Sequence, residues 1–117
     1  MDNMKLDKLV KILNARVLAG KDKLDREVEF AFSSDLMSDV LTLNNDKVIL
    51  LTGLSNIQSI RTAEMADINQ LVIARNKQVS EEMVRLAEEN DIVLLSTEKS
   101  LFRASGLLFD KGIKALF

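Results

Sequence analysis

Eight residues in the second half of the chain have the types and spacing to hold a small anion: Thr52, Gly53 and Ser55, then Arg75, Asn76 and Lys77, then Ser96 and Thr97. Each group follows an apolar run and precedes a helical pattern, so each is a turn where the free N–H groups of a helix start can point outward. Two cations, several hydroxyls and fixed amides suit a phosphate or a carboxylate: the N–H groups give direction, and Arg75 or Lys77 gives charge. The first turn is the clearest. Val48, Ile49, Leu50 and Leu51 form a continuous apolar run, as expected of a strand covered on both faces. Thr52 and Gly53 turn the chain, and Ser55 with Gln58 has the spacing of a capping box. Phosphate loops and dinucleotide folds need more glycines or a lysine at a fixed offset, whereas Thr52-Gly53-Leu54-Ser55 supplies a single glycine. An ATPase of the P-loop kind and a Rossmann dehydrogenase are disfavoured.

Other chemistry is sparse. The chain has no His and no Cys, which removes the usual base near neutral pH, the commonest metal ligands, disulfides and any iron–sulfur cluster held by its own thiolates. Asp35 and Asp39, within Ser34 to Leu41, would share one helix face and could hold Mg²⁺ or act as acid and base. The simpler reading is that Asp35 supports the helix start and Asp39 is solvated, while Leu36, Met37 and Val40 pack inward. A serine with a lysine can serve as nucleophile and base, yet no spacing here demands it. The expectation is no catalytic residue, no metal site and no resident cofactor.

The elements that must position the eight residues follow from periodicity. Leu6, Leu9, Val10 and Leu13 recur at helical spacing and predict a helix over Met4 to Leu13. Ala15 to Leu18 is a short apolar run ending at Gly20, and Lys21 to Arg26 is a charged turn. Val28, Phe30 and Phe32 alternate with Glu29 and Ala31, which predicts a half-covered strand over Glu27 to Phe32. Ser33, Ser34 and Asp35 are candidate N-caps for a short second helix, and Asn44, Asn45 and Asp46 form a turn. One scheme then repeats: strand Val48 to Leu51 with helix Asn56 to Ala66, strand Gln70 to Ala74 with helix Glu81 to Asn90, and strand Ile92 to Leu95 with helix Glu98 to Phe109. Ser80 caps the middle helix, and Gly112 stops the last. Strands alternating with helices imply parallel pairing, and right-handed crossovers would line up the three strand-to-helix turns along one edge.

Composition bounds the rest. A chain of 117 residues, with 47% apolar and 29% charged side chains, fits one folded domain spanning 1–117. Sixteen basic residues against 18 acidic ones, with no basic block, speak against a counterion-release grip on nucleic acid. The apolar runs are too short to span a bilayer, and the charged start from Met1 to Lys11 is unlike a secretion signal, so no membrane association and a cytoplasmic location are expected.

Several stretches together resemble the DRTGG domain family over nearly the whole chain. They are Asp25-Arg26-Glu27-Val28, Ser34-Asp35-Leu36-Met37-Ser38-Asp39-Val40-Leu41, Leu51-Thr52-Gly53-Leu54, and Leu95-Ser96-Thr97 followed by Phe102, Ala104, Gly106 and Leu108. The resemblance is greatest to small stand-alone members, and extends to the N-terminal domain of bacterial HPr kinase and to domains inserted in phosphotransacetylases and CBS-domain pyrophosphatases. It implies an α/β fold, self-association and a sensing or adaptor task, and it carries over no catalytic residue. Stand-alone members bear names that link them to hydrogenases, a link that without cysteines would run through a partner.

The expected architecture is α/β, with a mostly parallel central sheet of about four or five strands flanked by helices and similar to the HPr kinase N-terminal domain. The expected function is a non-catalytic regulatory or ligand-sensing module that binds a small anionic ligand, such as a nucleotide, at the strand-to-helix turns. The alternative is a homodimeric interaction or adaptor protein without ligand, accessory to a redox or kinase system. Its support is the apolar surplus in Leu107, Leu108, Phe109, Ile113, Ala115, Leu116 and Phe117, more than a small last helix readily buries.

Overall fold

The computed structural model describes residues 3–117. In chain order its elements are β1 (Met4–Lys5), α1 (Leu6–Leu13), β2 (Arg16–Ala19), a 3-10 turn (Lys21–Lys23), β3 (Glu27–Val28), β4 (Phe30–Ser33), α2 (Met37–Val40), β5 (Val48–Thr52), α3 (Ile57–Met65), β6 (Gln70–Ile73), α4 (Glu81–Glu89), β7 (Val93–Ser96), α5 (Leu101–Asp110) and β8 (Lys114–Ala115). A six-stranded sheet runs β2-β7-β6-β5-β4-β8. Pairings β7-β6, β6-β5, β5-β4 and β4-β8 are parallel, and only edge strand β2 is antiparallel to its neighbour. The α/β class with a mostly parallel sheet is as expected; the strands beyond the expected four or five are the edges, β2 and the two-residue β8. Among the described residues no helix is long and apolar enough to cross a membrane.

The central strands are buried on both faces because their side chains alternate between two apolar layers. Leu50, Leu71, Ile73 and Leu94 pack with Met37 and Val40 of α2, Ile60 and Ala63 of α3, and Met83 and Ala87 of α4. Ile49, Leu51, Val72, Val93 and Leu95 pack on the other side with Leu6, Leu9 and Leu13 of α1 and Ala104 and Leu108 of α5. A continuous Val/Ile/Leu run is therefore the sequence trace of a sheet between two helical layers. The polar Gln70 is also buried, and its amide donates to the carbonyls of Asp46 and Val48 at 3.0 and 2.7 Å, tying the start of β6 to β5.

Four local expectations are revised. The first helix does not begin at Met4: Met4–Lys5 pairs antiparallel with Glu27–Val28 in a separate two-stranded ribbon. The single strand expected over Glu27 to Phe32 is split for the same reason, since Glu29 N and Phe30 N both donate to Lys47 O, and the chain leaves the ribbon there to join the main sheet. Short runs of alternating residues record which positions are covered but not which neighbour covers them. The helix after Thr52-Gly53 is capped by Asn56, whose side chain accepts from Ser59 N at 3.0 Å, and not by the Ser55–Gln58 box. Ser80 and Ser100 cap α4 and α5 in the same way, by accepting from Met83 N and Arg103 N. The last helix accordingly starts at Leu101, past the expected Glu98, and ends before Gly112, whose φ of 108° carries the chain away.

Candidate functional site

Parallel pairing of β4, β5, β6 and β7 puts all four carboxyl ends on one rim, the usual position for ligands in such sheets. The three predicted turns lie there and touch. Lys77 Nζ donates to Gly53 O at 3.0 Å, and Ser55 Oγ donates to Gln78 O. Asn76 N donates to Thr97 O at 2.8 Å, and Arg75 N to Lys99 O at 2.7 Å. Gly53, Lys77, Asn76 and Thr97 thus form one continuous ledge. Arg75 and Asn76 hold it in consecutive left-handed conformations, with φ of 62° and 52°, a backbone arrangement that asparagine tolerates and arginine rarely adopts.

The eight residues are not equivalent. Arg75 and Asn76 are exposed at the rim, and Gly53, Ser55 and Lys77 are half-buried in it. Thr52, Ser96 and Thr97 are buried. Thr97 faces inward: its Oγ1 donates to Leu13 O at 2.8 Å, satisfying a carbonyl that the end of α1 leaves without a helical partner. Ser96 lies in β7 opposite Arg16 and Ile73, as part of the sheet. Ser55 braces the loop after β6 and lies 3.7 Å from Met83 Sδ.

A fourth turn, absent from the sequence reading of the rim, supplies the residue that organises it. Asp35 follows β4, and its Oδ1 accepts from Gly53 N at 2.7 Å and from Thr52 Oγ1 at 2.8 Å. Thr52 Oγ1 accepts in turn from Leu54 N at 3.1 Å. A carboxylate oxygen therefore already occupies the place where the Thr52-Gly53 turn would receive an anion. Asp35 lies ahead of α2, which begins at Met37, so it does not share a helix face with Asp39. The helix start is supported instead by Ser34, whose Oγ accepts from Leu36 N at 3.0 Å. The signal for Asp35 is present in the chain: a strand is expected over Glu27 to Phe32, and the residues just past it join the same rim once β4 pairs parallel to β5. Only the pairing was missing.

Charge at the rim is mixed. The cations Arg75 and Lys77 lie with the carboxylate of Asp35, and four of the turn amides are engaged by protein acceptors: Gly53 by Asp35, Leu54 by Thr52, Arg75 by Lys99 and Asn76 by Thr97. An incoming anion meets two positive side chains directly, and would gain the Gly53 amide and Thr52 hydroxyl only by displacing the Asp35 carboxylate.

The model of the family described as the DRTGG domain matches residues 8–109. No curated protein matches the chain. Among solved structures, the chain is similar to the regulatory region of Clostridium perfringens pyrophosphatase, comprising CBS and DRTGG domains and complexed with its activator, diadenosine tetraphosphate. The TM-score is 0.72 at 16% identity, over 96% of this chain and 51% of that one. The chain thus spans about half the length of that regulatory region, and the likeness is one of fold.

Proposed function

The chain belongs to the DRTGG domain family, and from that premise we propose that it is a non-catalytic regulatory module that senses a small anionic ligand, such as a nucleotide, at the rim formed by the carboxyl ends of β4 to β7. The observation that carries this reading is the carboxylate of Asp35 on Gly53 N at 2.7 Å. A turn that holds an internal carboxylate oxygen on an amide and a buried hydroxyl has the donor geometry for a phosphate oxygen. The ligand takes that place, Asp35 swings out, and the anion's negative charge replaces that of the carboxylate and is balanced by Lys77 and Arg75. Since Asp35 precedes α2, its release loosens the Ser34 to Val40 segment, and occupancy becomes a change in surface that a partner can read. Membership in a family with a regulatory relative complexed with a nucleotide activator supports the ligand class.

Thermal melting with nucleotides and inorganic phosphate tests the proposal, because a ligand that binds only the folded state raises the midpoint. Asp35→Asn removes the competing charge and is expected to tighten binding by about tenfold, while the pair Arg75→Ala and Lys77→Ala abolishes the shift. Absence of any shift in both the wild type and Asp35→Asn sinks the reading.

A further inference from the structure

Helix α5 turns to solvent a face that its own fold does not use. Phe102 and Phe109 are 89% and 69% exposed, while Ala104 and Leu108 on the other side are buried. Two aromatic residues seven apart are almost in line along a helix, so Phe102 and Phe109 form a column. Arg103 and Asp110 form a second column beside it, and neither has an ion-pair partner among the described residues. Gly106 lies between the columns. A Cβ there would meet nothing within 4 Å, and its φ is not positive. Neither crowding within the chain nor a special conformation accounts for a residue that weakens a helix interior. A glycine so placed does let a second backbone come close. Beside it a shallow apolar groove, lined by Ala31, Ile113 and Ala115, runs to the β8 edge.

The geometry points to a second copy of this chain as the occupant, with the two α5 helices antiparallel across a two-fold axis that passes at Gly106. Such an axis reverses direction along the helix but keeps the two columns facing their counterparts. Phe102 then meets the partner's Phe109, and Arg103 meets the partner's Asp110, each contact formed twice. A parallel arrangement would lay the aromatic column of one copy on the charged column of the other. The face is therefore complementary to itself in one orientation, aromatic on aromatic and cation on anion, with the side-chain-free position at the crossing. This pairing is independent of any ligand at the rim, and either can fail alone.

Sedimentation equilibrium of the full chain tests it. The wild type is expected to be a concentration-dependent dimer. Arg103→Glu and Asp110→Lys, which each place like charges together twice, should weaken the dimer by about tenfold or more. The double variant Arg103→Glu with Asp110→Lys should restore it, because the reversed pair is again complementary; a merely structural role for either residue predicts no such rescue. Gly106→Leu should be monomeric with a melting midpoint no lower than that of the monomeric Arg103→Glu, since the site has open space within the chain. The inference is overturned if the wild type is monomeric at every concentration, in which case the face serves another partner. A dimer indifferent to both single reversals, or a double variant no tighter than the singles, also overturns it.

Discussion

Asp35 and Thr97 show how single side chains hold the rim. Asp35→Ala removes the acceptor for Gly53 N and Thr52 Oγ1. At an exposed position the loss should be about 1–2 kcal/mol, read from urea denaturation, and Asp35→Asn should cost less because one amide oxygen can still accept. Thr97→Val keeps the side-chain shape but deprives Leu13 O of its donor in a buried site. It should cost about 1–3 kcal/mol, read from the same urea denaturation, because this hydroxyl both donates to Leu13 O and accepts from Lys99 N at 3.3 Å. The residue types for anion binding were legible in the chain. Which hydroxyls face a ligand was not, because a threonine that caps a distant helix and one that lines a pocket have the same local sequence signature.

Element boundaries carry a second class of effect. Asn56→Ala deletes the cap of α3 and should lower stability by about 1 kcal/mol, whereas Gln58→Ala, in the capping-box position read from the sequence, should be near neutral; paired thermal melts distinguish the two. Both Ser55 and Asn56 are good cap residues, and the structure uses the second because Ser55 Oγ is engaged by Gln78 O across the rim. Gly20 is a tighter constraint. It ends β2 at φ 82°, and a Cβ would lie 2.8 Å from Val93 Cγ2 and 3.0 Å from Val93 Cα. Backbone strain and overpacking act together there, so Gly20→Ala should cost at least about 2 kcal/mol. The chain shows Gly20 only as the end of an apolar run; its neighbour Val93 is far away in sequence and comes close only through the β2–β7 pairing.

At the scale of the whole molecule, stability rests on one sheet shared by two apolar layers. Leu50 and Leu51 are adjacent in β5, fully buried, and point into different layers. Leu50→Ala and Leu51→Ala should each cost about 2–5 kcal/mol, and each variant should still unfold in a single urea transition, since neither layer can persist without the common sheet. A second, separate transition in either variant would mean that the layers fold independently. The sequence by itself determined the α/β class, the repeated strand-and-helix units and the set of turns at the sheet's carboxyl edge, because apolar periodicity and cap residues act through near neighbours along the chain. Only the tertiary structure decided that Asp35 fills the Gly53 amide, that Thr97 turns toward α1 and that α5 keeps two phenylalanines in solvent, because each of these depends on which distant segment the sheet order brings alongside.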